Sequence, residues 1–186
     1  ALPLEMTFPH VTAQDWVPFK EKYPEAFDGP DNLRAHFECY LIPSQGQTIL
    51  VDTGIGTNDS NPGTIQGLLG GRVEGKLLSE LASAGIAPGD IDIVIMTHLH
   101  PDHVGWNVNA GGTDPTSTFP NARYIAHQAD WDAFSAPKDE KISGFGYWNE
   151  TVAPLERLGV LDLLDGEKPL TGVVMAITTP VTPPAP

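Results

Sequence analysis

The sequence has little cysteine, few basic residues and no long apolar run, and each shortage excludes a class of protein. The single cysteine, Cys39, cannot form an internal disulfide, and its apolar neighbours predict a small buried residue instead of a nucleophile. No segment approaches the ~18 consecutive apolar residues that span a bilayer, so we expect no membrane partner. With 10 basic and 24 acidic residues, the formal charge of −14 disfavours nucleic acid as a partner.

The N-terminus also lacks the basic and then apolar pattern of an export signal, which predicts a cytoplasmic protein. Because the chain begins with Ala1 and not with methionine, processing of an upstream segment stays an open alternative. The 186 residues, 40% of them apolar, suffice for one domain with a sizeable core. We therefore expect a single domain, or part of one.

From residue 36 onward, the apolar residues follow alternating strand and helix patterns. Two β-rich runs, 37–42 and 48–51, flank a turn and predict a hairpin. Further strands are predicted at 91–96, 122–126 and 173–177, and helices at 76–84, 128–134 and 152–158. This alternation indicates the α/β class. Residues 1–34 show no sustained period, which predicts an irregular segment.

Three of the six histidines fall within residues 98–103, directly after a predicted buried strand. Because alternate residues of an extended chain face the same side, His98 and His100 can point at one metal ion while Leu99 faces the core. Asp102 and His103 follow, where a second ion could lie beside the first. Imidazole and carboxylate suit zinc, iron or manganese, and two such ions can share a nucleophilic hydroxide. The cluster predicts metal-assisted hydrolysis, the alternative being that the histidines are incidental.

The remaining histidines and one loop are weaker candidates for function. His10, His36 and His127 have no comparable neighbours and are expected to be structural, although His127 follows a strand and can support a metal ligand. The loop at 135–150 contains three aromatic residues that either line a substrate mouth or cover the core: Phe145, Tyr147 and Trp148. We predict no specific substrate-binding residue.

The histidine segment, residues 97–103, belongs to a longer stretch that resembles a motif of a known protein family. Residues 97–106, Thr-His-Leu-His-Pro-Asp-His-Val-Gly-Trp, resemble the His-x-His-x-Asp-His motif of the metallo-β-lactamase superfamily. Residues 51–54, Val-Asp-Thr-Gly, are similar to a second element of that family, and residues 119–124 are similar to a strand entry of its lactonase-like members. The resemblance runs from about His36 to Thr179 and implies the αββα sandwich of that family.

The resemblance also implies roles for individual residues. His98 and His100 would hold one zinc ion, and Asp102 and His103 the other. Asp102 would in addition orient the nucleophilic water, which makes it the expected catalytic residue. Asp52 would support the ligands from behind without touching the metal.

Residues 180–186 depart from the family pattern. The family places its next ligand, a histidine, where Thr182 stands here. We therefore expect residues 1–186 to form a single incomplete domain, holding only the N-terminal half to two-thirds of the sandwich, with a proline-rich tail at 180–186. One hypothesis for the tail is a lost base, since codons for Gly-His-Thr-Pro-Gly then translate as Val-Thr-Pro-Pro-Ala, the sequence of 181–185. The alternatives are a natural half-domain or a fragment.

The resemblance favours a zinc-dependent hydrolase that uses a metal-bound hydroxide on an ester, a lactone or a related bond of a small molecule. The alternative is a non-catalytic metal-binding or structural remnant, inactive because later ligands are lost. A third alternative is a zinc-dependent nuclease or oxidoreductase of the same superfamily, of which the nuclease is disfavoured by the charge of −14. An incomplete sandwich would leave one face of its sheet apolar and open, so a homo-oligomer is a further expectation.

Overall fold

The computed structural model describes residues 1–57, 74–109, 114–135 and 147–179. Its strands are β1 (Leu2–Pro3), β2 (Asn32–Leu33), β3 (Tyr40–Ser44), β4 (Gln47–Val51), β5 (Ile93–Ile95), β6 (Val108–Asn109), β7 (Thr116–Ser117), β8 (Arg123–His127), β9 (Leu161–Leu164), β10 (Lys168–Pro169) and β11 (Met175–Ala176). Its α-helices are α1 (Leu4–Thr7), α2 (Val17–Lys22), α3 (Leu77–Ser83), α4 (Gln128–Ser135) and α5 (Ala153–Arg157). A π-helical turn at Trp148–Val152 precedes α5, and 3₁₀ turns occupy Pro24–Ala26 and Pro88–Asp90. The expected tail at 180–186 and Phe145 lie outside the described residues.

Five strands form the main sheet, in the order β3-β4-β5-β8-β9. The hairpin of β3 and β4 is antiparallel, and its two-residue turn fits because Gln45 and Gly46 both adopt positive φ, 51° and 79°. The next three pairs, β4 with β5, β5 with β8 and β8 with β9, are all parallel. The α/β class predicted from the sequence is confirmed.

The two faces of this sheet bury different residues, because side chains alternate along each strand. Leu50, Val94 and Tyr124 face a large core that helices α3, α4 and α5 cover. Their neighbours in sequence face a smaller cluster made of Ile49, Ile93, Ile125 and Leu164. Among the described residues, the β10–β11 hairpin with its neighbours and Ile42 and Ile95 of the sheet itself pack on that second cluster, and a cavity of about 840 Å³ opens there.

Several boundaries differ from the sequence prediction. The last predicted strand, 173–177, is wrong in extent, since only Met175–Ala176 forms a strand, which pairs with β10 outside the main sheet. Strand β9 was not predicted from the sequence. Arg123 on β8 contacts this strand, since its Nε donates a hydrogen bond to Oδ2 of Asp162 at 3.0 Å. The N-terminal segment, expected to be irregular, contains α1, α2 and a β1–β2 pair.

Two other expectations concern Cys39 and membranes. Cys39 is partly buried, and burial, followed by the charge of Asp52, raises the pKa of its thiol to about 12. The thiol therefore stays protonated at neutral pH, as expected for a residue that is not a nucleophile. Among the described helices, none has the length and hydropathy to cross a bilayer.

Gly105 allows two backbone segments to touch beside the histidine segment. Its N–H donates to the carbonyl of Gly54 at 2.7 Å, and a Cβ added there would lie 2.2 Å from the carbonyl carbon of Ile55. Backbone atoms cannot move aside as a flexible side chain can. We expect Gly105→Ala to lower the free energy of unfolding by about 3 kcal/mol in urea denaturation.

Gly89→Ala is the matched control, because a Cβ at Gly89 would meet only Asn121 at 3.5 Å, an ordinary contact. That variant should stay within about 0.5 kcal/mol of the parent. Equal stability of the two variants would show that the close approach at Gly105 is not a constraint.

Candidate metal centre

The candidate residues meet at one edge of the main sheet, where parallel strands end. Val51 of β4 pairs with Ile95 of β5, and Ile95 pairs with Ile125 of β8. Asp52 follows β4 directly, the histidine segment follows β5, and His127 ends β8. The carboxyl ends of parallel strands are where α/β folds gather functional side chains.

Asp52 fastens both ends of the histidine segment. It is buried, with 5% of its surface exposed, and its backbone adopts a positive φ of 58° that turns the carboxylate toward the segment. Its Oδ1 accepts the N–H of Thr97 at 2.7 Å, and its Oδ2 accepts the hydroxyl of Thr97 at 2.8 Å. The same Oδ2 lies 2.8 Å from Nδ1 of His103. These contacts suit the supporting role expected of Asp52.

The three imidazoles of the segment lie against one another. The ring centroids of His98 and His103 are 4.0 Å apart, and those of His98 and His100 are 4.7 Å apart. Leu99, between the two candidate ligands, is fully buried in the large core, as the alternation predicted. On the outer side, the ring of Phe134 from α4 meets His100 edge to face at 5.4 Å.

Asp102 and His103 form a charged pair next to these rings, with Oδ2 and Nε2 3.3 Å apart. Burial lowers the pKa of His103, but its hydrogen bonds to Asp102 and Asp52 outweigh burial and raise the pKa to about 9. Burial raises the pKa of Asp102, and the hydrogen bond from His103 reverses this, leaving it below its usual value. The pKa of His98 is lowered, first by burial and then by the charges of His103 and His100.

The residues fit a metal site in chemistry and position. Three imidazoles and the carboxylate of Asp102 are donors that zinc prefers. The rings of His100 and His103 both contact that of His98, and Oδ2 of Asp102 lies 3.3 Å from Nε2 of His103. Within the described ranges, no three of these side chains are already arranged around one point.

A buried polar network, not predicted from the sequence, joins Thr53, Met96 and Tyr124 to Asn107 on the core side of this sheet edge. The hydroxyl of Thr53 donates to Oδ1 of Asn107 at 2.9 Å, and Asn107 Nδ2 lies 3.2 Å from the sulfur of Met96. The hydroxyl of Tyr124 donates to the carbonyl of Asn107 at 3.0 Å. A signal was available, since Thr53 is a polar residue inside one family motif and Asn107 is a polar residue directly after the other.

The other histidines are separate from the cluster or serve the fold. His10 and His36 are exposed. Nδ1 of His127 accepts the N–H of Ala129 at 3.1 Å and so caps the start of α4. Its Nε2 is buried and has no hydrogen-bond partner in the described part of the chain. His127 also lines the open cavity together with His98 and His100.

Two of the three loop aromatics cover the core and do not line a mouth. Tyr147 is 1% exposed and belongs to the large core cluster. Trp148 packs on Trp131 of α4, with ring centroids 5.0 Å apart. Phe134, which was not predicted from the sequence, is an aromatic residue in contact with the candidate ligand His100.

Comparison with known proteins gives a family and a set of relatives. The family model of the metallo-beta-lactamase superfamily matches residues 38–186. The N-acyl homoserine lactonase AiiB of Agrobacterium fabrum is 33% identical over 100 residues, which are 50% of this chain and 33% of that protein. An N-acyl homoserine lactonase of Bacillus thuringiensis is 30% identical over 106 residues, 51% of this chain and 38% of that protein. The chain thus spans only about a third of the length of these relatives.

Solved structures show the same fold. A probable metal-dependent hydrolase from Staphylococcus aureus superposes with a TM-score of 0.72 at 22% identity, over 94% of this chain and 58% of that one. AidC, a dizinc quorum-quenching lactonase in complex with a product, gives a TM-score of 0.60 at 21% identity, over 87% and 53% of the two chains. At these identities the likeness establishes the fold alone.

Proposed function

The chain belongs to the metallo-beta-lactamase superfamily, and from this we propose that it is a zinc-dependent hydrolase of lactones or related esters. The observation that supports this most is that three imidazoles lie in contact while Asp52 hydrogen-bonds to both ends of their segment, Thr97 and His103. Such support is characteristic of metal sites, where the partners of the ligands fix their orientation. A group of histidines that met by chance would not be expected to have such a supporting carboxylate.

In the proposed site, His98 and His100 hold one zinc ion, and Asp102 and His103 hold a second. Bound zinc would polarise the scissile carbonyl and supply a nucleophile at neutral pH. Asp102 orients the attacking water through its carboxylate. Asp52 would keep a proton of His103 on Nδ1, so that Nε2, which lies 3.3 Å from Oδ2 of Asp102 in the structure, could lose its proton and bind a metal ion.

The proposed substrate is a lactone that carries an acyl chain. Both curated relatives are named N-acyl homoserine lactonases. In this chain, the cavity beside His98 and His100 is lined by Phe134 of α4 and by apolar residues of the open sheet face. An apolar wall beside a polar centre suits an acyl chain attached to a hydrolysable ring.

The test is hydrolysis of N-hexanoyl-homoserine lactone by the zinc-loaded chain, followed as acid release and by mass spectrometry. We expect turnover that chelation removes and added zinc restores. The lactone should be cleaved at least about tenfold faster than a chromogenic β-lactam, because pocket fit discriminates by roughly that factor. Chelator-insensitive turnover, or none on any lactone or ester, would refute the proposed activity.

A second candidate is a metal-binding protein without turnover. It is supported by the lack, among the described residues, of a ready-made group of three ligands. Under this proposal, zinc binds through His98 and His100, but no lactone or ester is cleaved. Zinc titration and the hydrolysis assay on the same preparation separate the two candidates.

A further inference from the structure

The middle of the histidine segment has an anchor of its own. Asp52 holds Thr97 at one end and His103 at the other. Between these points, the hydroxyl of Tyr147 donates a hydrogen bond to the carbonyl of Leu99 at 2.8 Å. We propose that Tyr147 is a positioning residue for the His98 and His100 pair. This inference rests on the proposed metal centre.

The place of this bond makes it specific for the ligand pair. The Leu99 carbonyl belongs to the peptide plane that joins Leu99 to His100. Fixing that plane restricts the backbone dihedrals on both sides and therefore the direction of the His100 side chain. His100 itself is exposed, and its described ring contacts are with His98 and Phe134. Without the anchor, its direction would depend largely on those exposed contacts.

Tyr147 is itself rigidly held. Its ring is 1% exposed and packs in the large core with Val152 and Leu155. Its carbonyl accepts the hydroxyl of Thr151 at 2.9 Å, at the start of the turn that leads into α5. Burial raises the pKa of Tyr147 above its usual value, so the phenol keeps its proton at neutral pH and can donate.

A purely structural role would be the satisfaction of one buried carbonyl. Both roles predict a loss of stability when the hydroxyl is removed, since a buried carbonyl loses its partner. Only the positioning role predicts a loss of metal affinity beyond what destabilisation of the fold explains. Residues that orient metal ligands typically change affinity by about ten- to a hundredfold.

The test is Tyr147→Phe, which keeps the ring in the core and removes only the donor. We expect the dissociation constant for zinc, measured by competition with a chromophoric chelator, to rise by roughly tenfold. The visible spectrum of the cobalt-substituted chain should change as well, because it reports ligand geometry and not stability.

Tyr124→Phe is the matched control. Tyr124 is fully buried in the same core, donates to the carbonyl of Asn107 and accepts the N–H of Phe119 at 3.1 Å. Its loss should cost at least as much stability as Tyr147→Phe, with zinc affinity unchanged within about twofold. Equal losses of zinc affinity in the two variants would overturn the inference.

If Tyr147→Phe does not fold, 4-aminophenylalanine at position 147 keeps a donor and should retain affinity and spectrum, while 4-methoxyphenylalanine cannot donate and should lose them. Equal behaviour of these two replacements would also refute the role.

If the parent chain binds no zinc, the proposed metal centre is wrong, and the inference is decided separately by the side-chain NMR couplings of His100 in the metal-free protein. Those couplings should show one His100 rotamer in the parent chain and an average over several rotamers in the variant without the Tyr147 hydroxyl. Equal couplings in the parent chain and the variant would contradict the positioning role.

Discussion

Replacing His98 and His100 together by alanine is expected to abolish tight zinc binding and leave the fold in place. The fold should survive because His100 is exposed, His98 is only half-buried, and Leu99 between them supplies the core contact. Changes to supporting residues alone cost about ten- to a hundredfold in affinity, so losing two ligands should cost roughly a thousandfold or more. Chelator competition measures the affinity, and circular dichroism checks the fold.

The matched control is the double variant His10→Ala/His36→Ala, which removes two exposed histidines from elsewhere in the chain. It should bind zinc as the parent does. If instead the His98/His100 variant keeps the parent affinity, the metal is bound elsewhere and the proposed ligand assignment is wrong.

Asp52→Asn should weaken zinc binding by about a hundredfold, although it only replaces one carboxylate oxygen by an NH₂ group. The amide has one acceptor oxygen, which Thr97 N–H requires, so its NH₂ group faces Nδ1 of His103. That group would donate to Nδ1 and so place the histidine proton on Nε2, where it blocks metal binding. Asparagine tolerates the positive φ of 58° as aspartate does, so the backbone should not change.

Asp92→Asn is the corresponding control, because Asp92 Oδ2 accepts the backbone N–H of Thr48 at 2.7 Å on the same sheet. It removes a carboxylate with a structural hydrogen bond, and zinc affinity should not change. Zinc affinity as high in Asp52→Asn as in the parent chain would show that the His103 tautomer does not matter for the site.

The parts of the fold that local pattern determines were predictable. The hairpin was predicted from its β-rich runs around a turn, and the helix at Leu77–Ser83 from its apolar spacing. The histidine segment was found because its residues are neighbours in sequence at a strand end. Asp52, which is distant in sequence, was named only through the family resemblance, and the structure places it in contact with Thr97 and His103.

The parts that tertiary contacts determine were not predictable. Strand β9 at Leu161–Leu164 alternates weakly and is extended because β8 and Arg123 hold it at the sheet edge. The predicted strand at 173–177 is apolar and β-branched, yet it lies outside the main sheet. The contact of Tyr147 with Leu99 joins residues 48 positions apart, and no local sequence pattern predicts it.

The most direct test of the metal centre is the metal content of the purified chain, measured by plasma mass spectrometry after dialysis against metal-free buffer. We expect on the order of one to two zinc ions per chain, lost in the His98→Ala/His100→Ala variant. A content near zero in the parent chain, or an equal content in the variant, would contradict a metal centre at this edge of the sheet.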